Sequence, residues 1–154
     1  MDKLKEYADV ILTSGVNLKK GQKLNIACSF GNYEFARLIG QRAYKWGAGF
    51  VNIEVRDNYL LKARAENQSE DLLDYFPLFS QVHSSQLVSE EWAFISIDNT
   101  DESHVLKDAD PDKVQALTKT SRKGRDILLS TLMRDKIPWN IVAYPNDKWA
   151  SNVL

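Results

Sequence analysis

Side chains able to do chemistry gather in three places along the 154 residues. The first is Ser29-Phe30-Gly31-Asn32, a turn that follows a predicted strand. Doubly wound α/β folds use such turns to bind phosphate, because helix-end amides and the helix dipole point there. One glycine stands where the dinucleotide fingerprint needs three, and no Gly-Lys-Ser/Thr triplet follows. The turn therefore reads as a plain strand-to-helix connection, with Gly31 easing the backbone and Ser29 or Asn32 capping the helix. The second place is Asp98, Asp101, Glu102, His104 and Asp108, at a strand end where carboxylates and an imidazole could hold a divalent ion. The spacing favours a solvated turn whose side chains bond their own backbone. The third is Lys119, Arg122 and Lys123 on one helix face with Arg125 nearby, able to engage phosphate or an acidic partner but read as a solvated outer face.

Little else is poised for catalysis. His83 is the other imidazole, in a predicted helix beside Ser84 and Ser85, and reads as surface or packing. The sequence has no HExxH, no CxxC and no GxSxG elbow, which leaves zinc and serine hydrolase chemistry unsupported. Cys28, the single cysteine, follows the apolar Ile26 and Ala27 inside a predicted strand and reads as a small buried core residue. Of four tryptophans, Trp46, Trp92, Trp139 and Trp149, the first three are placed to be half-buried, where indoles often meet another element or domain.

The elements that must position these groups alternate. Leu4, Tyr7, Ala8, Ile11 and Leu12 predict a helix over Asp2 to Ser14, stopped by a left-handed cap at Gly15. Lys23 to Ser29 and Phe50 to Val55 read as strands flanking a helix from Asn32 to Trp46 that Gly47 stops. A strand, helix, strand run of this length is a parallel crossover unit. Short helices are expected at Asn58 to Glu66 and Glu70 to Phe76, a third from Pro77 to Glu90, and a strand from Trp92 to Asp98. Asp110 and Pro111 open a long helix to Asp135, which Gly124 bends. Trp139 to Tyr144 is a last strand, and Asn146 caps a helix that the chain leaves unfinished at Leu154, as a fragment would. The expected fold class is α/β: an open, mostly parallel sheet of about four strands with helices on both faces, in one domain over 1–154.

Composition excludes whole classes of partner. Twenty Lys and Arg against twenty-one Asp and Glu leave a formal charge of −1, so no global field draws in nucleic acid or anionic lipid. With 44% apolar residues the chain can build its own core, and no run approaches the roughly 20 apolar residues of a membrane span. The polar start and lone cysteine point to the cytoplasm.

The segment from Leu132 to Ala150, with Arg134-Asp135-Lys136-Ile137-Pro138-Trp139, Tyr144-Pro145 and Trp149-Ala150, resembles the N-terminal domain of the metallo-aminopeptidases typified by aminopeptidases T and S. Leu4 to Leu12, Gly15-Val16-Asn17-Leu18, Lys20-Gly21-Gln22 and Ala43-Tyr44-Lys45-Trp46-Gly47-Ala48-Gly49 extend the resemblance over essentially the whole chain. It implies an exopeptidase that removes N-terminal amino acids from peptides with two divalent metal ions, and a homodimer. In that family the Glu, His and Asp ligands lie in a second, C-terminal domain, so the resemblance assigns no catalytic and no metal-binding residue here and implies that these 154 residues alone are inactive. Trp139 and Trp149 become candidates for contact with that domain or with another subunit. The competing expectation is an independent α/β module that binds a small ligand or a regulatory partner without catalysis.

Overall fold

The computed structural model describes residues 2–98 and 102–154. Four strands, β1 (Lys23–Ser29), β2 (Phe50–Arg56), β3 (Ala93–Ile97) and β4 (Trp139–Val142), form one sheet in the order β2-β1-β3-β4. All three pairings are parallel. Helices α1 (Asp2–Val10), α2 (Tyr33–Lys45), α3 (Asn58–Asn67), α4 (Leu78–Ser89), α5 (Pro111–Gly124), α6 (Asp126–Met133) and α7 (Asp147–Val153) complete the chain. The α/β class and the layering agree with the sequence.

Alternation along the strands divides the core. Leu24, Ile26 and Cys28 of β1 and Ala93, Ile95 and Ile97 of β3 pack under α1 and α2 with Leu12, Phe35 and Ile39. Ala27 and Phe94 point the other way, onto Leu87 of α4 and Leu128 of α6. A smaller cluster joins Ala65 of α3, Leu73 and Leu117 of α5. Rings of Tyr7 and Tyr144 each stack with Phe35, at 5.7 and 4.9 Å, tying α1 and the segment after β4 to α2. Asp9 adds a clamp between α1 and α2, accepting from Arg42 at 2.7 and 2.6 Å and from the Trp46 indole at 3.0 Å.

Several local signals act as expected. The Asp110 carboxylate accepts from the backbone amides of Asp112 and Lys113 with Pro111 opening α5, Asn146 caps α7 through the Trp149 amide, and Gly47 takes φ +90° just past α2.

Four expectations need correction. The first helix does not stop at a left-handed Gly15; it widens into a π turn over Ile11–Gly15, Val16 N–H bonds Ile11 O, and Asn17 carries the positive φ of 47°. Glu70 to Phe76 forms one 3-10 turn, Glu70–Leu72, because the Arg64 guanidinium bonds the Leu72 and Tyr75 carbonyls that a longer helix would need to turn inward. The long helix is two helices, broken at Arg125 with φ −111° and ψ 15°. The last strand ends at Val142, two residues early.

Candidate functional site

Strand order reverses between β1 and β3, and the carboxyl ends of those strands are where an open parallel sheet offers a crevice. The turn after β1 and the end of β3 do meet there. Asn32, however, fills the space: its amide donates to Asp98 O at 2.9 Å, and neither Ser29 nor Asn32 caps α2 with its side chain. The Ser29 hydroxyl is buried with no hydrogen-bond partner among the described residues. Of the acidic group at the end of β3, Asp101 lies outside the described residues, Glu102 is buried, and His104 and Asp108 are exposed. Among the described residues no three of His, Cys, Asp and Glu are grouped so as to hold a metal ion.

The chemistry sits instead on the sheet face toward α4 and α6. Parallel register places Asn25 beside Asn52, Ala27 beside Glu54 and Ser29 beside Arg56, and the two-residue repeat of a strand sends all of these side chains to one face. Asn25 is fully buried. Its carbonyl oxygen accepts from Asn52 at 2.6 Å and its amide donates to Glu54 Oε2 at 3.2 Å. Asn52 also makes a weak 3.5 Å contact with Nε2 of His83 on α4. Glu54 Oε1 then lies 3.8 Å from Arg56 Nε and 3.9 Å from an Arg125 terminal nitrogen.

This row leads into a cleft of about 560 Å³ between the end of β2, the start of α3, α4 and the α5–α6 junction. Arg56, Arg122, Arg125 and His83 contribute polar groups; Leu61, Phe76, Phe79 and Leu117 contribute apolar surface. Burial pushes the Arg56 pKa below its ordinary value, Glu54 counters it, and the Arg125 charge adds to the depression. Coulomb repulsion between two guanidiniums with one shared carboxylate costs more in such a partly desolvated place than in water.

The remaining sequence candidates separate by environment. Lys119, Arg122 and Lys123 are exposed as expected, but Arg125 turns inward at the helix break, its side chain 19% exposed. Cys28 is 1% exposed, and burial raises its thiol to about 11, which suppresses the reactive thiolate. Trp92 is buried with its indole N–H on Glu90, and Trp46 is tied to Asp9. Trp139, 38% exposed, bonds Asp135 at 2.8 Å; Trp149 is half-buried on α7.

Sequence reasoning passed over Asn25, Asn52, Glu54 and Arg56. A signal was present: polar residues at every second position of strands whose other positions are apolar mark a polar face, and helices cover both faces of this sheet.

Together these features describe an α/β domain with a charged cleft at one end of a parallel sheet. The family model for thermophilic metalloprotease (M29) matches residues 1–154, and the chain belongs to that family. It is 27% identical to aminopeptidase 2 of Geobacillus stearothermophilus over 151 residues, 98% of this chain and 36% of the relative. It is 28% identical to aminopeptidase AmpS of Bacillus subtilis over 152 residues, 99% of this chain and 37% of the relative. The solved structure of wild-type AmpT from Thermus thermophilus superposes with a TM-score of 0.88 at 23% identity, covering 99% of this chain and 38% of that one. The chain thus spans little more than a third of the length of these relatives.

Proposed function

We propose that residues 1–154 form the N-terminal domain of a two-domain, metal-dependent aminopeptidase that removes N-terminal amino acids from peptides. The observation that carries this is the family match over all 154 residues, together with curated relatives that are aminopeptidases and extend well beyond the matched part. In this reading two divalent ions and their ligands belong to a C-terminal domain, and the 154 residues alone do not cleave peptides. The domain shields one side of the metal cleft, in a cytoplasmic homodimer. No helix among the described residues is long and apolar enough to cross a membrane.

Trp139 and Trp149 form the contact with the catalytic domain or a second subunit, supported by the partial exposure of both indoles near β4 and α7. In the native polypeptide Trp149→Ala should then weaken assembly; unchanged oligomeric state and stability would remove the contact.

The test of the function is the intact mass of the native protein from its source cells, set against 17.6 kDa for these residues, with hydrolysis of leucine p-nitroanilide before and after chelation. A mass more than twice as large and a chelator-sensitive activity are expected. A native mass near 17.6 kDa, with or without activity, overturns the two-domain reading.

A further inference from the structure

The cleft described above holds more cation than it can pair. Among the described residues, Arg56, Arg122 and Arg125 face two carboxylates, Glu54 and Asp57, and Asp57 is engaged in capping α3 through the Leu60 amide at 2.9 Å. Glu54 is divided between Asn25 on one oxygen and both guanidiniums on the other, at 3.8 and 3.9 Å. Those distances are well beyond the roughly 2.7–2.9 Å of a charge-assisted N–H···O bond. Arg56 Nε is buried without a hydrogen-bond partner among the described residues, and the largely shielded Arg125 side chain meets Glu54 only at the long 3.9 Å distance. Donors withdrawn from water and left unmet are uncommon in native proteins. The planar guanidinium fork is matched by an acceptor with two oxygens.

The lining says what should carry those oxygens. Leu61, Phe76, Phe79 and Leu117 wall the cleft beside the arginines, and Phe79 is 77% exposed. A bare inorganic anion would leave that wall in water, whereas an acid with an apolar body covers it.

We infer that this cleft binds a carboxylate carried on an apolar body, with Arg56 and Arg125 holding the carboxylate and Phe76 and Phe79 covering the body. Two sources share this chemistry: the C-terminal end of a short peptide and a small aromatic acid. The inference goes beyond the aminopeptidase reading and is independent of it, since it requires neither metal nor cleavage.

The test is calorimetric titration of the protein with N-acetyl-Leu-Phe, which has no free N-terminus to hydrolyse, with its C-terminal amide, with 3-phenylpropionate and with inorganic phosphate. The acid should bind at least about tenfold more tightly than the amide, the scale of one lost charge-assisted hydrogen bond, and Arg125→Gln should weaken the acid by a similar factor. Tighter binding of N-acetyl-Leu-Phe assigns the site to peptide ends, and tighter binding of 3-phenylpropionate assigns it to small acids; either supports the inference. Equal binding of acid and amide, phosphate binding as tight as the carboxylates, or a folded Arg125→Gln variant with unchanged affinity overturns it. Should Arg125→Gln fail to fold, the acid and amide comparison on the unaltered protein decides.

Discussion

Gly124 closes α5, and Gly124→Ala sets two effects of opposite sign against each other. A Cβ at this position would lie 2.2, 2.4 and 2.5 Å from Cδ1, Cε1 and Cγ of Phe76, whereas contacting carbons sit about 3.5–4.0 Å apart. Because Cγ is among the three, turning the ring about its own axis gives no relief, and the whole ring must shift by about 1 Å or more. Overpacking of this kind costs about 1–3 kcal/mol. Against it stands the helix preference for Ala over Gly, about 0.8–1.0 kcal/mol in a helix interior and less at an end. Gly124 is not among the glycines with positive φ, so backbone strain does not enter. The balance is a net loss of about 1–2 kcal/mol, which at this chain length lowers Tm by about 2–4 °C per kcal/mol. Urea unfolding followed by tryptophan fluorescence, on the parent, Gly124→Ala, Phe76→Ala and the double variant, separates the terms. With the ring removed, Gly124→Ala should become neutral or stabilising. A Gly124→Ala variant as stable as the parent, or purely additive effects in the double variant, would refute the reasoning.

Three further outcomes follow from the charges. Hydrogen bonds from Arg42 and then Trp46 hold the Asp9 carboxyl below its ordinary 3.8, so its contribution is present above that value and is lost as pH falls through the lower folded one; Asp9→Asn should cost stability at pH 6, with the deficit closing in acid, and a gap constant from pH 6 to about 2 argues against the clamp. Cys28 is raised from 9.0 to about 11 by burial, so the unfolded thiol ionises first and stability falls between those values; Cys28→Ala should lack that component of the alkaline loss, and the native thiol should react with a disulfide reagent only as fast as the protein opens, fast native labelling being the contrary result. Glu54→Gln frees both arginines from their shared carboxylate; it should lower stability by about 1 kcal/mol while tightening N-acetyl-Leu-Phe in the same titration, and weaker acid binding would place Glu54 with the ligand rather than against it.

The sheet was legible because its signals are local. Alternation in Lys23 to Ser29 and Phe50 to Val55, the glycine after α2, and Asp110-Pro111 each act over a few residues, and each does in the fold what its chemistry dictates. The break at Arg125 was hidden because the apolar period runs through it: Leu117 and Leu128 keep helical phase, yet Leu117 belongs to the small cluster with α3 and Leu128 to the core beneath α4. One stripe serves two cores, and periodicity carries no sign of which core a residue serves. The cleft was hidden for a related reason. Arg125 belongs by spacing to a basic outer face, and only the break turns it toward Glu54.

That break also links the architecture to the proposed ligand. The face of the sheet under α1 and α2 is closed with apolar side chains, while the opposite face buries Asn25 and shields Glu54, Arg56 and Arg125. Shielded ion pairs rarely stabilise a fold more than apolar residues of the same size, because desolvation offsets the attraction between the charges. These pairs are also long, so the attraction is weaker than close contact would give. Packing alone therefore gives a poor account of the row. A carboxylate arriving between Arg56 and Arg125 supplies the close acceptor that Glu54, held back by Asn25, does not, and the cost of the long, shielded pairs becomes binding energy when the ligand enters. On this argument Asn25 is a positioning residue: Asn25→Ala, by releasing Glu54 toward the guanidiniums, should weaken N-acetyl-Leu-Phe without touching the apolar wall, and unchanged affinity in a folded variant would mean that Glu54 is not restrained in this way.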